Sequence, residues 1–288
     1  GCVASSCYTD TRFIAKLDTI GNVVASYSSG DESEITYYDI TTDNNGDIYA
    51  VGVKDSKFFI RKFNSDLTSF SDYLFDTQSD YSYGKKIIID DTGYIYILGE
   101  FKGDIDFGSG VISSESSFNS PSNYSADIFV AKFDSDFNNI WLEAIGDAAD
   151  DDMIGIELDD ENVYVLGEID SYNYNPKKLI FNKYNNTDGA LEYSFLSSSE
   201  TYNGNVTGGV EPKSLLRVNE DFFIAVHAGS SFSFNGVNYS LQMAQQEAAF
   251  IKLDNTGVVD FIKSLGTSAG SSFIDMAKLN SGNILFGI

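Results

Sequence analysis

The sequence predicts an all-β fold, and three observations carry that reading. Residues 127–169 contain DIFVAKFD, FNNIWLEAIG, MIGIELDDE and NVYVLGEI, four strand-length runs of β-branched and aromatic residues, punctuated by Asp, Asn and Gly about every ten residues. The same order returns at 12–53 (RFIAKLD, NVVASYSSG, TYYDITTD, DIYAVGV) and at 58–101 (FFIRKFN, FSDYLFD, YGKKIIIDD, YIYILGEF). Looser copies follow at 178–227 and 250–288. A four-strand unit recurring at a period in the forties is the pattern of a β-propeller blade.

The elements follow in order from the phase of that repeat. DITTDNNGDIYAVG and IGIELDDENVYVLG resemble the inner A–B hairpin of a blade, and FVAKFDSDFNNIWLEAIG the outer C–D hairpin. On this phase the chain opens with an outer hairpin at 13–27 and stops after an inner one at 273–288. Intact blades begin near Ile35, Gly84, Met153 and Lys213. The expectation is a single-domain, five-bladed propeller of four-stranded antiparallel blades over 11–288, preceded by an N-terminal extension at 1–10. A blade shared between the termini, two strands from each, closes it. Closure in this way leaves no long strand edge exposed. The competing expectation is that further blades follow Ile288.

Connections divide into two kinds. A–B and C–D turns are tight (DNNGD, DDTG, SDFNN, DNTG), with Asn, Asp and Gly supplying the turn conformations. The B–C connections at 102–126, 170–177 and 229–248 and the D–A connection at 197–212 are long. Alternating strand direction sends B–C and D–A connections to one face of the ring, where elaborated loops bind partners. Within them DIDFGSGVI (104–112) and FSFNGVNYS (232–240) resemble each other and are expected to form small added hairpins. The face is acidic: Asp31, Glu32, Asp80, Asp104, Asp106, Asp150, Asp151 and Asp152 are its candidate ligand-binding residues. N-x-S/T sequons begin at Asn123, Asn185, Asn205 and Asn238, which are candidate glycosylation positions.

Composition narrows the function classes. The 288 residues include 22 Phe and 18 Tyr, enough aromatic surface for a sizeable core. A formal charge of −25 repels phosphate backbones and anionic lipid, so nucleic acid is not an expected partner. No apolar run is long enough to span a bilayer, so no transmembrane segment is expected. The two cysteines, Cys2 and Cys7, precede the first strand. A small local disulfide is expected between them, with free thiols as the alternative.

FVAKFD, IAKLD and VYVLGE, together with the DFGSG insertion, resemble the β-propeller repeat of secreted bacterial surface proteins, the SBBP repeat, and more distantly NHL-type blades. The resemblance spans about 12–288, closest in the first three units. It implies an extracellular or cell-surface location and a non-enzymatic repeat, and it implies no common ligand. The SBBP ring is described with seven blades, and the five units here depart from that.

Several constellations compete with plainer readings. Lys16, Lys62, Lys132, Lys183 and Lys252 recur at one position of every C strand. On an outer strand such lysines lie along the blade with their amines on nearby carboxylates. Aligning the A strands places Asp39 with Lys86, Gly155, Leu215 and Met276, and Thr41 with Ile88, Glu157, Arg217 and Lys278. Asp39 and Glu157, with Asp275 nearby, are the candidate catalytic carboxylates of an alternative reading, a five-bladed glycoside hydrolase. That chemistry uses two acids about 5 to 10 Å apart. Lys86, Arg217 and Lys278 in the same region make ion pairs the simpler account. Asp150, Asp151 and Asp152 are the best candidate Ca²⁺ ligands, although no full EF-hand spacing is present. His227, the single histidine, reads as a packed side chain, and Trp141 as core or edge packing. The functional expectation is a secreted or surface-displayed binding, adhesion or self-assembly module whose acidic face meets a protein or glycan at the cell surface, or copies of itself.

Overall fold

The computed structural model describes residues 12–30, 35–75, 81–115, 124–170, 176–199, 209–229, 231–240, 247–266 and 275–287. All of its regular structure is β, with no helix among the described residues.

The strands fall in the predicted order. A two-stranded hairpin comes first, β1 (Phe13–Leu17) and β2 (Val23–Ser28). A four-stranded sheet follows, β3 (Ile35–Thr42), β4 (Ile48–Lys54), β5 (Lys57–Phe63) and β6 (Phe70–Leu74), in sequential antiparallel order. The next consists of β7 (Ser82–Ile89), β8 (Ile95–Phe101), β11 (Asp127–Phe133) and β12 (Asn139–Ile145), interrupted by the small hairpin β9 (Asp104–Asp106) and β10 (Val111–Ser113). The third is β13 (Asp152–Leu158), β14 (Asn162–Ile169), β15 (Lys178–Asn185) and β16 (Leu191–Leu196). After β17 (Ser198–Ser199), the fourth contains β18 (Val210–Val218), β19 (Asp221–Ala228), β22 (Glu247–Asp254) and β23 (Val259–Gly266). The hairpin β20 (Phe232–Phe234) and β21 (Val237–Tyr239) interrupts it, and the chain ends with β24 (Asp275–Lys278) and β25 (Ile284–Gly287).

Each full sheet carries the same irregularity. The register between its first two strands slips by one residue, leaving Tyr38, Lys85, Ile154 and Lys213 as the extra residue of a β-bulge. The residues just past the bulge are Asp39, Lys86, Gly155 and Ser214, and two further on come Thr41, Ile88, Glu157 and Leu216. This corrects the sequence alignment in the fourth sheet by one residue, where Leu215 and Arg217 were expected. Before the bulge the strands approach closely. A Cβ on Gly52 would stand 1.9 Å from the Thr36 carbonyl oxygen, so glycine is required there.

The chain divides into two compact units, 1–112 with 131–142, and 113–130 with 143–288. In the first, β3 and β4 pack on β7. The β1–β2 hairpin lays Ile14, Ala25 and Tyr27 on Ile48, Ala50, Phe63 and Leu67. The β9–β10 hairpin forms where DIDFGSGVI predicts it and sends Phe107 into the core, its ring 5.3 Å from Phe58 and 5.7 Å from Phe133.

In the second unit β18 packs against β13, β14 and β15 on one side and β24 on the other. Its main core includes Tyr164, Leu166, Phe181, Phe222, Ile224 and Val226. The expected hairpin at 232–240 forms as β20–β21, and Ser198–Ser199 pairs with it to give a three-stranded sheet that the sequence reading did not foresee. Phe232, Phe234 and Tyr239 of that sheet are buried in the same core.

Candidate functional site

The tight turns show how this sequence fixes its strand ends. Asp43, Asp90, Asp134, Asp159 and Asp254 each place a carboxylate oxygen on the main-chain N–H groups two and three or four residues on, at 2.7–3.0 Å. In the A–B turns the second oxygen accepts a tyrosine hydroxyl from the following strand: Tyr49 to Asp43, Tyr96 to Asp90 and Tyr164 to Asp159, at 3.3, 2.9 and 2.7 Å. Burial works against the Asp90 and Asp159 charges, but these hydrogen bonds outweigh it and hold both carboxyls below their usual range.

The C-strand lysines take the structural reading. Lys16 donates to the Ser65 carbonyl, Lys62 lies over the Tyr49 ring, Lys132 over Tyr94, Lys183 pairs with Glu192, and Lys252 with Asp221 and Asp260. Trp141 is buried. His227 is half-buried with Nδ1 3.7 Å from Glu211.

A dense polar arrangement of the second unit joins three connections: the described ends 113–115 and 124–126 of the β10–β11 link, the β12–β13 link, and the start of the β14–β15 link. Asp151 is 1% exposed; Oδ2 accepts the Asp147 N–H at 2.8 Å and Oδ1 the Asp170 N–H at 2.9 Å. Its own N–H donates to the Ala126 carbonyl at 2.7 Å, while the Ala126 N–H donates to Asp150 Oδ1 at 2.8 Å. Asp127, 2% exposed, accepts the Glu115 N–H at 2.9 Å. Gly146 runs beside both buried carboxyls: a Cβ there would meet Asp127 Cγ at 2.5 Å and Asp151 Oδ2 at 2.7 Å.

Burial pushes the Asp127 carboxyl up to about 7 and the Asp151 carboxyl up to about 8, with Asp147 adding repulsion to each. The hydrogen-bond count around Ser125 agrees. Its hydroxyl lies 3.0 Å from the Glu115 carbonyl, 2.9 Å from the Asp147 carbonyl and 3.1 Å from Asp127 Oδ1. One hydroxyl has one proton to give, so a proton on Asp127 satisfies a contact that would otherwise set oxygen against oxygen. The arrangement can hold and release protons near neutrality while fastening the connections together. Sequence reasoning missed Ser125, Asp127 and Gly146, because nothing in SADIF or AIGDAADDD marks which acid is buried.

The sequence matches no protein-family model and no curated protein. The site residues expected from sequence are therefore placed by geometry alone. Asp104 and Asp106 are exposed on β9 in the first unit, and Asp150 and Asp152 are exposed in the second. Asp151 is a correction: expected on the acidic face and as a Ca²⁺ ligand, it is buried with both carboxylate oxygens on main-chain N–H groups. Among the described residues no group of three or more His, Cys, Asp or Glu is set to hold a metal ion.

Asp39 accepts the Ile87 N–H at 3.1 Å within the first unit, and Glu157 the Arg217 N–H at 3.2 Å within the second. Asp275 accepts the Ser214 hydroxyl at 2.7 Å. Each of these candidate catalytic carboxylates thus links the first strands of two neighbouring sheets in its own unit. Burial pushes Glu157 up. Asn185 is the last residue of β15, and Asn238 lies on β21. Asp31, Glu32, Asp80, Cys2, Cys7, Asn123 and Asn205 fall outside the described residues. No described helix is long and apolar enough to cross a membrane.

Proposed function

We propose that this chain is a non-enzymatic binding and assembly module on a five-bladed β-propeller plan, secreted or displayed at a cell surface. Its four full sheets are blades, and its terminal hairpins are complementary halves of a fifth. The serial packing of first strands within each unit, β3 beside β7 and β13 beside β18 beside β24, supports the plan, as does the resemblance to the SBBP repeat.

One observation carries the binding reading. In the second unit the B–C and D–A connections are hydrogen-bonded to one another, through Asp151, Ala126 and Asp170 and again where the Val210 N–H donates to the Lys177 carbonyl. The described ends of these connections, knitted in this way, form a firm platform, and Asp150 and Asp152 stand exposed on it. A rigid acidic platform suits a cationic protein surface, or a glycan whose hydroxyls donate to carboxylates. Asp39, Glu157 and Asp275 serve as links between strands, which favours a scaffold over a hydrolase.

A glycan and protein binding screen, run with and without EDTA, tests this reading. Binding that is lost when 102–126 is exchanged for a short turn supports it, and EDTA sensitivity would add Ca²⁺ to the platform. Hydrolysis of a glycan by the wild type, abolished in Glu157→Gln, would replace it with the enzyme reading.

A further inference from the structure

The first unit contains a cleft of about 450 Å³ between β1 and β3. Ile14, Ala15 and Lys16 form one wall and Ile40, Thr41 and Thr42 the other, with Ile48 and Leu67 among the remaining lining residues. In the complete sheets the corresponding place is filled. There the second strand bonds to the third and packs on the first strand of the next sheet: β4 pairs with β5 and packs on β7, and β14 pairs with β15 and packs on β18.

β1 is a third strand by its turn. The Asp18 N–H donates to the Asn22 carbonyl as the Asp134 N–H does to Asn138, and Lys16 stands where Lys62 and Lys132 stand. Phe13 and Leu17 are 74% and 56% exposed, whereas their counterparts Phe59 and Phe63 are fully buried. Among the described residues β1 pairs with β2 alone, and the cleft lies on the side where a second strand lies in the complete sheets.

β24–β25 is the matching piece, a first and second strand that pair, among the described residues, with each other alone. Its turn repeats that of β3–β4: the Leu279 N–H donates to the Asn283 carbonyl as Asp43 does to Asp47. β4 pairs Ile48 with Phe63, Tyr49 with Lys62, Ala50 with Arg61 and Val51 with Ile60. Carried over, this register sets Ile284 against Leu17, Leu285 against Lys16, Phe286 against Ala15 and Gly287 against Ile14. Leu285 is 57% exposed, an apolar side chain with a seat to fill.

We propose that the cleft along β1 takes the β24–β25 hairpin of a second copy of the chain, so that copies join head to tail. The inference rests on the propeller reading above, in which the same two half-sheets complement each other. Joining in trans uses the same contacts as closing in cis, so protein concentration selects between them. Because donor and acceptor surfaces differ, the joint is heterologous and leaves one of each unfilled at the ends of a growing chain. Addition of a strand to an exposed sheet edge takes its affinity from main-chain hydrogen bonds and its register from the side-chain seats.

The test uses the full chain with Cys2→Ser and Cys7→Ser as background. Lys16→Cys and Leu285→Cys are made singly and together, both at exposed positions, and oxidised mildly over a concentration series. A covalent dimer from the mixed single variants, and a ladder from the double variant that lengthens with concentration, is the expected result. A cross-linked monomer from the double variant, with no dimer from the mixture, would overturn the exchange and leave the closed propeller standing. No cross-link in either, with the variants folded by circular dichroism, would sink both readings. If a cysteine variant fails to fold, sedimentation of the wild type decides. A mass that rises with concentration, and returns to monomer in Leu285→Lys opposite Lys16, supports the joint; a monomer at every concentration removes it.

Discussion

Arg61 and Asp72 face each other from adjacent strands of the first full sheet, Nε to Oδ1 at 2.5 Å and Nη2 to Oδ2 at 2.7 Å, and the arginine is 0% exposed. The third nitrogen, Nη1, donates to the hydroxyls of Tyr27 and Tyr37 at 2.5 and 2.9 Å, and the Phe70 ring centroid lies 4.0 Å from Cζ. Tyr27 belongs to β2, so this buried charge also fastens the opening hairpin to the sheet beside it.

Removing the carboxylate takes from a buried cation the anion that binds two of its nitrogens. Asp72→Ala is therefore expected to destabilise the protein by about 3–5 kcal/mol. Tyr27→Phe removes one hydroxyl acceptor and should cost about 1–3 kcal/mol, with protection from amide exchange falling first in β1 and β2. Urea unfolding and hydrogen exchange measure the two. An Asp72→Ala variant as stable as the wild type would show that the ion pair is dispensable.

The Asp127 and Asp151 carboxyls give stability an unusual pH dependence. Their folded-state values, about 7 and about 8, lie above the unfolded value of about 3.9. They bind protons more tightly in the folded state, so their contribution is full below about pH 4 and is lost as pH rises toward 8. Asp72, Asp90 and Asp159 act oppositely. Each is held below the usual range, so their contribution is present above about pH 4 and lost beneath it. The thermal midpoint is therefore expected to peak on the acid side of neutrality. Asp127→Asn keeps an acceptor for Glu115 and gains a donor for Ser125, and should flatten the alkaline limb. A wild-type midpoint that climbs steadily from pH 5 to 8 would contradict this.

Gly146→Ala places a methyl group against both buried carboxyls. It is expected to cost about 1–3 kcal/mol, as overpacking does, and to loosen the platform at Asp150 and Asp152. Limited proteolysis of the variant should cut within 146–151 before any other described connection of that unit; cleavage unchanged from wild type would refute the role of the close approach.

Asp90→Ala removes the acceptor of two main-chain N–H groups and of the fully buried Tyr96 hydroxyl. A loss of about 1–3 kcal/mol is expected, with Asp90→Asn recovering part of it. Equal stability of the two variants would mean that the tyrosine contact contributes nothing.

The strand order, the phase of the repeat and both added hairpins were legible because each rests on local chemistry: alternation, turn residues and a repeated DFG or FNG phrase. What was hidden depended on partners distant in sequence. Arg61 sits in FFIRKFN like any surface charge, and its burial follows from Asp72, Tyr27 and Tyr37. Asp151 lies in a tract of three aspartates that reads as solvated, and only the approach of Ala126 and Asp170 encloses it. The fourth first strand was misaligned by one residue because a bulge shifts register without leaving a mark in PKSLLRV. Ser198–Ser199 has no strand character of its own and becomes a strand by borrowing the edge of β20.

The bulges at Tyr38, Lys85, Ile154 and Lys213 reach further than geometry. Side chains along a strand alternate between faces, so deleting one of these residues would turn the adjoining half-strand inside out, whereas inserting or removing a whole period of forty-odd residues would leave every facing intact. Length in this fold therefore comes in quanta: whole modules preserve the inside and outside of every strand, and single residues at these four points do not.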